Sequence, residues 1–137
     1  HVYDIQHDLD VYRHFKTNLL KRNPSLMFLG LGLTDEWAHE NDYIQYWNHI
    51  ILADHIIEDL INTLQKINKY KNNTIFIITT DHGRGNNYKT WNTHSSDISG
   101  SDESWAIIHG PNIKPKNITK KFKNTFIYHK IMDYFTN

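Results

Sequence analysis

The chain has 137 residues, 39% of them hydrophobic, with 15 basic residues balancing 15 acidic ones. That length suffices for one domain with a real core, and a net charge of zero argues against binding nucleic acid or another polyanion through bulk charge. Cysteine is absent, which excludes disulfides and thiolate-held metals; no apolar run reaches the length of a membrane span, and the opening HVYDIQHDLDVY lacks the basic and apolar regions of a signal peptide.

Residues 9–22, LDVYRHFKTNLLKR, place Leu9, Tyr12, Phe15, Leu19 and Leu20 at helical spacing, and Asn23-Pro24 stops that helix. SLMFLGLG (25–32) is nearly continuously apolar and predicts a strand buried on both faces. LTDEWAHEND follows as a loop or a first helical turn. Residues 42–69 predict a long helix with Asp42 as N-cap and a stripe through Ile44, Trp47, Ile51, Leu60, Ile61 and Leu64. TIFIITT (74–80) predicts a second buried strand. Residues 83–104 are polar and rich in Gly, Asn and Ser; a connection of that length is expected to be functional or disordered. SWAIIHGP (104–111) predicts a third strand, and residues 123–135 a short terminal helix. Strand, helix, strand at this spacing is a βαβ unit, so the expected fold class is α/β with a mostly parallel sheet flanked by helices. No repeat or interdomain linker is visible.

Ten histidines are many for this length. His1, His7, His14, His49, His55 and His129 read as surface residues. The others are arranged. Asp35 and His39 are four apart, so one helical turn brings both to one face. Asp81 and His82 follow the second strand, and His94 lies on the polar connection. In open α/β sheets, sites form beyond the carboxyl ends of strands, where both pairs sit. Carboxylates and imidazoles suit zinc or manganese. Taken alone, Asp35/His39 is more often a solvated pair and Asp81-His82-Gly83 more often a turn. Two such pairs at two strand ends, with a third histidine nearby, are hard to obtain by chance.

TDEWAH, TTDHGRG and WNTHS, in this order and spacing, resemble the metal-binding segments of the alkaline phosphatase superfamily, which includes nucleotide pyrophosphatase/phosphodiesterases and cofactor-independent phosphoglycerate mutases. The likeness covers about residues 25–115. It implies an alkaline-phosphatase-like fold and a metal-dependent hydrolase or mutase of phosphoric esters with two divalent transition-metal ions, zinc or manganese. It implies that Asp35, His39 and His94 hold one ion and Asp81 and His82 part of the second. Two cations would clamp the attacking and leaving oxygens of an in-line displacement at phosphorus. AIIHGPNI resembles the family's closing strand.

This sequence departs from the pattern in two ways. Ser95, where the family has glycine, follows His94. The family's nucleophile, Ser or Thr, and a further metal-binding aspartate lie well before the first motif; Asp4, Asp8 and Asp10 are too near the start for that context. Residues 1–137 are therefore expected to be the C-terminal part of such a hydrolase domain, beginning at His1 without an initiator methionine, with no catalytic nucleophile and no activity alone. The alternatives are a sulfatase of the same superfamily or a non-catalytic metal- or ligand-binding module. Sulfatases use one hard cation held by oxygen-rich ligands, and the Asp35/His39 pair points to transition metals instead.

Arg84 is placed to touch a substrate phosphate or to be a solvated loop residue. Trp37 and Trp91 flank ligands and either wall the pocket or pack locally. Tyr43 and Tyr46 are expected to pack on the long helix, His109 to bond a neighbouring loop, and Glu36 and Glu40 to support the site or lie exposed. Asn72 and Asn117 head glycosylation sequons, a pattern common by chance. A small-molecule phosphoric ester is the expected partner, with no nucleic-acid polymer. The resemblance favours a periplasmic or extracytoplasmic setting.

Overall fold

Helix α1 spans Asp8–Arg22, with acidic Asp8 and Asp10 in its first turn and basic Lys21 and Arg22 in its last, the arrangement that complements the helix dipole. It ends where the sequence predicts. Asn23 takes the left-handed conformation (φ 47°), and its N–H donates to the Leu19 carbonyl at 3.1 Å, directly before Pro24. The computed structural model describes residues 7–123 and 125–136; His1 and Asp4 lie outside them.

Residues 25–32 differ from the expected buried strand. Met27, Leu29 and Leu31 are half-buried, while Leu26 and Phe28 face outward, Phe28 being 90% exposed. That is period-two alternation with one covered face. A continuous apolar run cannot reveal that only one of its faces is covered.

Helix α2 (Leu33–His39) and helix α3 (Tyr43–Leu64) follow, joined through residues 40–42. Asn41 makes the turn at φ 57°, and the Asp42 carboxylate accepts the Gln45 N–H at 3.0 Å, the predicted N-cap. α2 lies on α3, with Leu33 and Ala38 buried and Ile56 and Leu64 buried on the longer helix. α3 stops at Leu64, short of the expected residue 69, and a series of turns carries the chain through Tyr70. The N-terminal half of the predicted stripe, Ile44, Trp47 and Ile51, is exposed.

Strands β1 (Phe76–Thr79) and β2 (Ala106–His109) pair antiparallel, with Phe76 opposite His109 and Thr79 opposite Ala106. The expected parallel pairing across the long helix is not found among the described residues. The segment before α2 joins no ladder, and the connection between β1 and β2 contains no helix that would enforce a parallel return. β1 is half-buried and β2 mostly exposed, as befits a two-stranded sheet. Helix α4 (Thr125–Thr136) buries no residue. Among the described residues, no helix is long and apolar enough to cross a membrane.

The main core cluster is Leu19, Leu64 and Tyr70, with Phe15, Met27, Leu60, Ile67 and Phe76 against it. The Tyr70 hydroxyl donates to the Pro24 carbonyl at 2.8 Å, pinning the end of α1 to the turn after α3. At the other end, Asp59 of α3 accepts from the Tyr12 hydroxyl (2.5 Å) and from Lys16 Nζ (2.6 Å). Burial and then the Asp59 bond push the Tyr12 hydroxyl well above the tyrosine range. The Lys16 bond, followed by that from Tyr12, holds the Asp59 carboxyl below the usual aspartate range.

A carboxyl depressed in the folded state stabilises it above the unfolded value of about 4 and loses that contribution as pH falls through the folded value. Urea unfolding at pH 6 and pH 3 should show this acid loss in the wild type and a smaller loss in Asp59→Asn. Leu64→Ala should cost about 2–5 kcal/mol in the same experiment; a cost below about 1 kcal/mol would contradict this core assignment.

Candidate metal centre

One turn of α2 brings Asp35 and His39 together, with His39 Nε2 3.3 Å from Asp35 Oδ2. β1 ends at Thr79, and the chain turns through Asp81, His82 and Gly83 toward the same carboxylate. His82 Nδ1 donates to the Gly83 carbonyl at 2.8 Å, which fixes the tautomer and leaves the Nε2 lone pair free. That Nε2 lies 3.8 Å from Asp35 Oδ1. His94 Nε2 lies 3.6 Å from the same oxygen and 3.0 Å from His39 Nε2. The His82 and His94 rings stack at 3.9 Å, and His39 meets His94 edge-on at 4.9 Å.

His94 approaches Asp35 because the polar connection, expected to be functional or disordered, is held by its own backbone bonds. Gly83 N–H donates to the Ser101 carbonyl and Gly85 N–H to the Thr93 carbonyl, each at 3.0 Å. The Gly85 bond holds the residue next to His94. Both contacts need glycine. A Cβ at Gly83 would lie 2.0 Å from the Gly100 carbonyl oxygen, and one at Gly85 would lie 2.2 Å from that of Thr90. Gly83 therefore admits a second stretch of backbone beside Asp81 and His82.

Asp81 stands at the edge. Its side chain is 87% exposed, with Oδ1 accepting the His82 N–H at 2.9 Å and Oδ2 3.6 Å from His82 Nε2. The Arg84 guanidinium pairs with Asp35 through Nη2, donates to the Trp91 carbonyl at 3.3 Å, and lies 5.8 Å from the Tyr46 ring centre. Trp91 packs on Tyr43 and Tyr46 at 5.3 and 5.6 Å, so these tyrosines meet the site's loop rather than only their own helix. Trp37 lies 5.9 Å from the His49 ring of α3. Glu36, Glu40 and His109 are exposed.

The donor set suits a divalent cation. Asp35, His82 and His94 each offer a ligand atom within 4.8 Å of the others. His39 adds a further nitrogen beside Asp35 and His94. Neutral imidazoles facing one another at these distances set lone pairs against each other unless protons or a cation lie between them, and one carboxylate with several imidazoles is a set that zinc and other transition metals favour.

The sulfatase family model matches residues 2–137. The chain belongs to the sulfatase family. It is thus a member of the alkaline phosphatase superfamily, whose α/β fold, hydrolytic chemistry and use of metal ions agree with the site described. Neither the curated proteins nor the solved structures yield a match.

Asp8, set aside in the sequence as too near the start for the family's metal-binding context, is distinguished by its burial at 2% exposed. Tyr43 and Tyr46 carried no signal separating a loop contact from helix packing. Gly83→Ala should displace the 100–103 backbone, cost about 1–3 kcal/mol and speed exchange of the Gly85 amide. Unchanged stability and exchange would show that the loop is not held this way.

Proposed function

We propose that this chain carries the metal-binding part of a phosphoric-ester hydrolase, the C-terminal portion of a domain whose nucleophile comes from outside these residues. The observation that carries the reading is the convergence of His39, His82 and His94 on the Asp35 carboxylate. A nitrogen-rich set favours zinc or manganese over a hard cation held by oxygens alone. Asp35, His39, His82 and His94 would hold the metal, with Asp81 completing a second position. Bound there, divalent cations supply Lewis acidity toward a phosphoryl oxygen.

The remaining residues position the ester. Arg84 presents planar donors matched to a tetrahedral oxyanion once Asp35 is engaged elsewhere. Tyr46 and the Trp91 carbonyl hold that guanidinium in place, and the Trp91 ring packs against Tyr43 and Tyr46 beside it. Trp37, turned toward α3, supports α2 instead.

The second reading is a sulfuric-ester hydrolase, favoured by the family match itself. Sulfate monoesters present a similar tetrahedral oxyanion with less charge. Paired aryl phosphate and aryl sulfate substrates, assayed on the intact protein, separate the two. The proposal expects phosphate turnover to predominate, to vanish with chelator, and to return with zinc or manganese. His94→Ala should lower it more than about 100-fold, and Arg84→Ala should raise KM about tenfold, the worth of one charge-assisted bond. Predominant sulfate turnover would select the second reading, and turnover indifferent to chelator would refute both.

A further inference from the structure

Asp8 is the buried acid among the described residues, and its partners lie 24 and 25 positions away. Its Oδ1 accepts the Gly32 N–H at 2.9 Å, and both carboxylate oxygens lie 3.4 Å from the Leu33 nitrogen. Gly32 is the N-cap of α2 and Leu33 its first residue, so these amides are among those a helix start leaves without intrahelical partners. Gly32 has no side chain to cap them. A carboxylate delivered from the start of α1 does so instead.

α2 has only seven residues, too few to persist by helix propensity alone, yet it carries Asp35 and His39. Leu33 and Ala38 fix which face of α2 turns inward. Apolar contacts hold the position along and around the axis less strictly than directional bonds do. A buried carboxylate is costly unless its oxygens are bonded, so placing one here ties its location to two specific amides.

We propose that Asp8 is a positioning residue for the metal centre, anchoring the start of α2 so that Asp35 and His39 meet His94 in register. The proposal rests on the reading of Asp35 and His39 as ligands, but the anchoring itself is measurable without metal.

The test uses the full chain as wild type, Asp8→Asn, Asp8→Ala and the core variant Leu19→Ala. Hydrogen exchange of the Gly32 and Leu33 amides and the His39 ring shifts are followed in metal-free protein, and zinc affinity by calorimetry. Asp8→Ala should accelerate exchange at both amides, move the His39 shifts and weaken zinc about 10- to 100-fold, the range for groups that orient ligands. Asp8→Asn keeps an acceptor oxygen and should recover most of that loss. Leu19→Ala should lower stability while leaving zinc affinity within about twofold. Equal weakening by Asp8→Ala and Leu19→Ala at matched stability, or unchanged protection of Gly32 and Leu33 in Asp8→Ala, would overturn the proposal. Should Asp8→Ala not fold, Asp8→Glu, which displaces the oxygens by one methylene, carries the same comparison. Zinc binding by the wild type tests the metal reading separately from the metal-free exchange.

Discussion

The Asp35 carboxylate is the point on which the rest of the structure converges. His39 reaches it from its own helix, His82 from the end of β1, His94 from the long connection and Arg84 from the turn between them. In water such a carboxylate would attract partners weakly. Here it is about one-third exposed and faces the mostly covered His82, His94 and Arg84 side chains besides the more exposed His39, so the interactions with the covered groups are stronger than at an open surface. Fixing Asp35 fixes the site, and the fold does so through a short helix rather than a strand.

Two devices hold that geometry. On one side, α2 rests on α3 through Leu33 and Ala38, with its first amides met by Asp8. On the other, Gly83 and Gly85 let the chain of residues 83–104 fold back on itself closely enough to bring His94 to Asp35 and His39. The second device explains how a stretch without helix or strand delivers His94: its backbone bonds are made to its own turns and to the residues beside His82. The glycine of Asp81-His82-Gly83 thus belongs to the site as much as the acid and the imidazole do.

The grouping of the candidate ligands was legible because metal chemistry restricts residue type and helix geometry restricts spacing. Asp35 and His39 could be paired from a four-residue interval, and the helix that pairs them is present. The ends of α1 and the cap of α3 were legible for the same local reason, through Asn23-Pro24 and Asp42. What depends on partners distant in sequence was not. The antiparallel register of β1 and β2 is set by the path of the loop between them. The exposure of Ile44, Trp47 and Ile51 depends on what faces them, which helical spacing does not specify. Nothing in the sequence links Asp8 to Gly32 and Leu33, whose amides it meets 24 and 25 positions away. The approach of His94 turned on two glycines whose need for space is visible only in three dimensions.

Membership of the sulfatase family sets the chemistry in the domain of ester hydrolysis, and the nitrogen-rich cluster sets the proposed metal. The most direct measurement is the response of the histidine ring nitrogens, read by long-range 15N NMR, to zinc added to the metal-free chain. The account predicts that the Nε2 signals of His39, His82 and His94 shift together at one equivalence point while His82 Nδ1 keeps its proton. Absence of any shift in these rings, or zinc-induced shifts confined to histidines such as His14 and His55, would contradict it.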